Sequence, residues 1–168
     1  MGVTFSLLTY PRVFFAVLLI YFSLDFFQNT PLYANAEINI IGAESLKKEI
    51  TNSKSKILVV DFWATFCKPC EKQVPVYSLI QTKFRPDDVS IIGVSLDFDK
   101  SRAKKFVQVQ GIKYPTFLSD EDLSFHFNVN SIPTTHIYND DRKLVQSYIG
   151  FVGEEELTET IEKLLRAQ

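Results

Sequence analysis

Val59-Val60-Asp61-Phe62-Trp63-Ala64-Thr65-Phe66-Cys67-Lys68-Pro69-Cys70 is the stretch on which the fold turns. Its first half continues an apolar, β-rich run begun at Ile57. That run predicts a strand over Ile57–Trp63, buried on both faces as a central strand is. Its second half carries the only two cysteines of the chain, three positions apart. A helix is expected from Lys68 to about Lys83, with Val74, Leu79 and Ile80 inward. Pro69 falls at an early helical position, where a missing N–H costs nothing.

Outward from this centre, strand and helix signals alternate. Upstream, Glu37–Ile41 reads as a short strand and Glu44–Ile50 as a helix with Leu46 and Ile50 on one face. Downstream, Val89–Leu96 reads as a second buried strand. A helix over Ser101–Gln110 follows, opened by Asp99 or Ser101 and closed by Gly111. Pro115–Leu118 reads as a short strand and Asp120–Phe127 as a short helix. Thr134–Tyr138 and Lys143–Ile149 are strands joined by the turn Asn139-Asp140-Asp141-Arg142. In the last helix Leu157, Ile161, Leu164 and Leu165 form one apolar stripe. Glu154, Glu155 and Glu156 open it and Lys163 and Arg166 close it, as the helix dipole favours. The order predicts an α/β layered fold around a central sheet that the closing hairpin makes mixed.

The first 36 residues differ from the rest. They hold two charged side chains, Arg12 and Asp25, and six of the fifteen Phe. Val13–Leu24 is almost unbroken apolar sequence, shorter than the ~20 residues a bilayer span needs. With Arg12 before it and Ala34-Asn35-Ala36 after it, it reads as a secretory signal over residues 1–36, cleaved after Ala36. The rival reading is an uncleaved membrane anchor over residues 13–27. Either places the remaining domain, 37–168, outside the cytoplasm, where disulfides persist. The 168 residues carry a net charge of −2, 46% hydrophobic and 23% charged side chains. That balance fits one globular domain and gives no basic face for nucleic acid.

A C-x-x-C pair is either a redox dithiol or half of a metal site. Structural zinc wants four ligands, and only His126 and His136 accompany the cysteines, so no metal is assigned. At a helix N-terminus the first thiol meets free N–H groups and the positive dipole end, which lower its pKa below about 8.5. Lys68 adds to this. The second cysteine, one turn in, is the less exposed. Asp61, enclosed by Ile57-Leu58-Val59-Val60 and Phe62-Trp63, should be desolvated and hold its proton unusually tightly.

The quoted stretch resembles the active-site segment of the thioredoxin superfamily. The longer resemblance is to the TlpA/ResA-like extracytoplasmic thiol–disulfide oxidoreductases. Ile91-Ile92-Gly93-Val94-Ser95-Leu96-Asp97, Tyr114-Pro115-Thr116-Phe117-Leu118-Ser119-Asp120 and Ser131-Ile132-Pro133-Thr134-Thr135 recur there in this order. It covers roughly residues 55–166 and implies a thioredoxin-like fold with an extra strand and helix between Gly111 and Phe127. It implies Cys67 as the attacking and Cys70 as the resolving cysteine, joined as a redox disulfide. Asp61 matches the buried proton acceptor for the resolving cysteine. Pro133 matches a cis-proline that lets the preceding backbone pair with substrate. Trp63, Phe66, Lys68, Pro69, Ile132 and Thr134 support the site, and Pro75 matches the proline that kinks the family's active-site helix. Two positions depart: Phe66 replaces a family Trp, and Gln73 replaces a Glu that ResA-like proteins use in proton handling.

The implied function is reduction of disulfides in partner proteins, without a cofactor, by a monomer recharged by a membrane reductase. The alternative is a copper-binding chaperone of the same fold using Cys67, Cys70 and His136. A peroxiredoxin reading is weaker, because Ala64 stands where the Thr before the peroxidatic cysteine belongs.

Overall fold

The computed structural model describes residues 37–167. The signal-or-anchor segment read over residues 1–36 lies outside the described residues. The chain runs β1 (Asn39–Ile41), α1 (Ala43–Asn52), β2 (Ile57–Trp63), α2 (Lys68–Lys83), β3 (Val89–Ser95) and α3 (Lys100–Gln110). It continues β4 (Thr116–Ser119), α4 (Leu123–His126), β5 (Thr134–Tyr138), β6 (Leu144–Ile149) and α5 (Glu154–Arg166). This is the alternation expected from the sequence.

One sheet has the order β1-β4-β3-β2-β5-β6. β1, β4, β3 and β2 are mutually parallel, and β5 pairs antiparallel with both β2 and β6. All seven residues of β2, Asp61 among them, are buried, as a strand at the centre of a two-sided sheet should be. Its alternate side chains feed two cores. Ile57, Val59 and Trp63 pack with Val74, Tyr77 and Ile80 of α2, Ala103 and Phe106 of α3, and Leu157 and Ile161 of α5. Leu58, Val60 and Phe62 pack on the other face with Leu46 and Ile50 of α1, Leu123 and Phe127.

The caps follow the sequence. The Asp99 carboxylate accepts from Ser101 N–H at 2.8 Å and opens α3, and Gly111 closes it with φ +64°. The hairpin turn holds Arg142 at φ +60°. Its guanidinium donates to the carbonyls of Ser53 and Ser55, both at 2.7 Å, tying the hairpin to the start of β2.

Two expectations need correction. Leu79 is 47% exposed, not inward. The buried residues of α2 are Cys70, Gln73, Val74, Val76, Tyr77 and Ile80, centred near Tyr77, and Leu79, two positions further on, points to the opposite side at about 100° per residue. The helix expected over Asp120–Phe127 contracts to the single turn Leu123–His126. The Asp120 N–H is taken by the Ile41 carbonyl at 3.0 Å, which prolongs the β1–β4 pairing.

Candidate active site

β2 ends at Trp63 and the next residues turn into α2. Cys67 occupies the N-cap position, where its Sγ accepts from the Cys70 N–H at 3.2 Å. The two sulfurs form a disulfide of 2.05 Å across Cα atoms 5.3 Å apart. Cys67 keeps 7% of its surface and Cys70 none, so the first cysteine is the accessible one. The loop before it is pinned from below. The Asp97 carboxylate, itself buried, accepts from Thr65 N–H at 2.9 Å, Thr65 Oγ1 at 2.7 Å and Ser95 Oγ at 2.7 Å. Phe66 points outward, and the exposed Lys68 ammonium is paired with Glu71 at 3.2 Å.

Asp61 lies on the α2 face of the sheet, between Val59 and Trp63. Both oxygens accept from tyrosines: Tyr77 Oη at 3.2 Å and Tyr114 Oη at 3.5 Å. Tyr77 Oη also lies 2.7 Å from Thr135 Oγ1. Since the Tyr77 proton goes to Asp61, Thr135 must donate into Tyr77. Burial pushes the Asp61 pKa up to about 7, against the lowering pull of the two tyrosine hydroxyls. Burial and the neighbouring Asp61 raise both tyrosines well above their ordinary range, so they stay donors. Gly93, level with Asp61 on β3, makes room: a Cβ there would stand 2.9 Å from Tyr114 Cε2.

The Ile132–Pro133 bond is cis. Phe62 pairs with Thr134 in antiparallel register, which places Pro133 at the end of the sheet where β2 delivers Cys67. Thr134 Oγ1 closes this turn on the Ser131 carbonyl at 2.7 Å.

Gln73, which the sequence offers only as a missing acid, has a different office. Its carboxamide is fully buried, donating to the Val152 carbonyl at 3.0 Å and accepting from the Val152 N–H at 2.9 Å. In the same loop Gly150 N–H donates to the Pro133 carbonyl at 2.8 Å. The helix of the cysteines is thereby fastened to the segment beside the cis-proline. A carboxylate can accept from Val152 but cannot donate, whereas a protonated acid does both. Gln73→Glu should therefore hold its proton above the ordinary carboxylate range. As pH rises from about 4 through that raised value, the variant should lose stability relative to wild type, by about 1–3 kcal/mol at neutral pH. Urea midpoints of both proteins across pH 4–8 check this; a constant difference over that range sinks it.

The set proposed for copper is not assembled. His136 is level with Val60, and its ring lies 5.2 Å from Phe62 and 6.3 Å from Tyr138, on the sheet face opposite Cys67 and Cys70. Burial lowers its pKa, and it is a core residue. Among the described residues no group of three His, Cys, Asp or Glu could hold a metal.

Residues 34–147 match the family described as AhpC/TSA. The thiol–disulfide oxidoreductase ResA of Bacillus thuringiensis (strain Al Hakam) is 30% identical over 122 residues, 72% of this chain and 70% of the relative. In structure the chain is similar to a thiol:disulfide interchange protein of the thioredoxin family from Chlorobium tepidum. The TM-score is 0.62 at 21% identity, covering 71% of this chain and 84% of the other. StoA from Bacillus subtilis is similar with a TM-score of 0.57 at 23% identity, covering 64% and 84%. These similarities bear out the thioredoxin-like fold and the resemblance to ResA.

Proposed function

We propose, from the premise that this chain belongs to the AhpC/TSA family and is a thiol–disulfide oxidoreductase, that it reduces disulfides of partner proteins outside the cytoplasm. The observation that carries the reading is the accessible Cys67 joined to the buried Cys70 at the mouth of α2, with the proton-holding Asp61 on the same face. Cys67 is the attacking thiol. Its thiolate is favoured by the Cys70 N–H and the helix dipole. It attacks one sulfur of a partner disulfide, forms a mixed disulfide and expels the other sulfur as a thiolate. Cys70 gives its proton towards Asp61, attacks Cys67 Sγ and frees the partner's remaining thiol. The protein is left as its disulfide. Pro133 presents the Ile132 backbone to the substrate strand, and Trp63, Pro69 and Thr134 hold the surrounding turns.

The apolar run Val13–Leu24 and the Ala34-Asn35-Ala36 site support export, whether by cleavage at Ala36 or by retention as an anchor. A membrane reductase must then return two electrons to the pair. Ala64, three before Cys67, leaves peroxidase chemistry without its Thr. Direction is tested by equilibrating the protein with glutathione buffers and counting alkylated cysteines. Dithiols of this fold span about −270 to −120 mV. A potential towards the reducing end is expected, and one near the oxidising end makes the protein a disulfide donor instead.

A further inference from the structure

α3 carries Lys100, Arg102, Lys104 and Lys105 and no acidic residue, in a chain whose net charge is −2. Ala103 and Phe106 bury its inner face, which leaves Arg102, Lys105 and Val109 along one exposed edge at helical spacing. Across from that edge stands the loop that delivers Cys67. Between them runs a groove of about 400 Å³ lined by Thr65, Phe66, Arg102, Lys105, Phe106 and Val109, among others. Its walls are apolar and open: Phe66 is 69% exposed and Val109 72%. Its floor is firm, because Phe106 stacks on Trp63 at 4.6 Å. The Thr65 side is fixed by Asp97. Glu71, also at the groove, is engaged by Lys68. Among the described residues neither Arg102 nor Lys105 belongs to an ion pair.

We propose that this groove receives the polypeptide flanking the substrate's reactive cysteine, and that it selects flanks carrying an apolar side chain followed by carboxylates. The apolar side chain lies against Phe66, Phe106 and Val109. The carboxylates meet Arg102 and Lys105, which steer the encounter as well as hold it. The groove borders Cys67 through Phe66, so a bound flank brings its disulfide to the more accessible of the two sulfurs. This rests on the thiol–disulfide reading above and adds the substrate's chemistry to it.

The test is single-turnover reduction by the pre-reduced full chain. Its dithiol becomes a disulfide while the peptide's disulfide becomes two thiols. Two peptides share one disulfide-bonded core and one apolar flanking residue, and differ in ending Asp-Glu or Lys-Lys. An exposed ion pair is a modest interaction, and two of them, attractive in one peptide and repulsive in the other, predict a preference of about 10-fold in the second-order rate constant for the acidic peptide. The double substitution Arg102→Glu with Lys105→Glu should reverse that preference, and 0.5 M salt, at a Debye length of about 4 Å, should collapse it. The readout is a ratio within each protein, so any common loss of Cys67 reactivity cancels. Equal rates for the two peptides, or a preference that survives charge reversal, overturns the groove. Failure of wild type to reduce either peptide overturns the oxidoreductase reading itself.

Discussion

Cys67→Ser is expected to abolish insulin-disulfide reduction, while Cys70→Ser halts the reaction half-way with the partner still attached. The asymmetry follows from burial. A partner sulfur can approach Cys67, which keeps 7% of its surface, and cannot approach Cys70, which keeps none. Position reinforces it. Cys67 is the N-cap of α2 and takes the Cys70 N–H at 3.2 Å, so its thiolate has a donor waiting once the disulfide opens. Cys70 lies one turn inside, without that advantage. In Cys70→Ser the mixed disulfide through Cys67 has no internal thiol to displace it. It should accumulate as a single covalent adduct by intact mass and be released by dithiothreitol. In Cys67→Ser no adduct should form, and turnover should fall to the uncatalysed background. Should the adduct appear in Cys67→Ser instead, or Cys70 alkylate first at neutral pH, the two roles are exchanged.

The sequence made β2 and α2 legible to the residue, because both carry strong local signals. An apolar, β-rich run has few alternatives, and a proline near the helix start leaves little freedom in where the helix begins. Asp61 was legible as a buried acid for the same reason: a charge inside such a run has nowhere wet to go. Its partners were not. Tyr77 and Tyr114 reach it from sixteen and fifty-three positions away, and Tyr114 stands between α3 and β4, outside any periodic element. The Gln73–Val152 pair spans seventy-nine positions. Read against the family pattern alone, Gln73 was a lost acid. Its double hydrogen bond to a loop depends on how α2 and α5 dock, which no local pattern encodes. His136 went astray for want of register. Alternation assigns it to one face of β5, and only the pairing of Val60 with His136 says that this face is the one away from the cysteines. Asp97 figures in the sequence only as the last residue of a stretch shared with the family, and its hold on Thr65 crosses from one strand end to another.

Asp61→Asn should slow release of the mixed disulfide by about 100-fold, the ordinary worth of a positioned proton acceptor, and leave attack by Cys67 nearly unchanged. Resolution needs Cys70 as a thiolate, and a fully buried thiol resists ionising. A base is required on that face. Asp61 stands there with a pKa of about 7, close enough to working pH to take a proton and return it. Asn offers no such exchange. The same substitution has a signature in stability that a bystander would lack. Wild-type Asp61 titrates near 3.8 when unfolded and about 7 when folded. Between those values the native state holds a proton that the unfolded chain has released. Stability therefore falls as pH rises across the window and levels off above it, by about 4 kcal/mol over the full span at ~1.4 kcal/mol per unit. Asn removes that fall, so the variant should overtake wild type as pH passes through the folded value, less the cost of housing its amide N–H₂ group. Rapid-quench resolution rates and urea midpoints at pH 4, 6 and 8 separate the outcomes. A slowed resolution step with a flattened pH profile identifies Asp61 as the proton acceptor. A flattened profile with an unchanged rate keeps the buried acid but sends the Cys70 proton out through water. If neither changes, Asp61 exchanges its proton no differently in the folded and unfolded chain, and the pair of tyrosines holds a carboxylate rather than an acid.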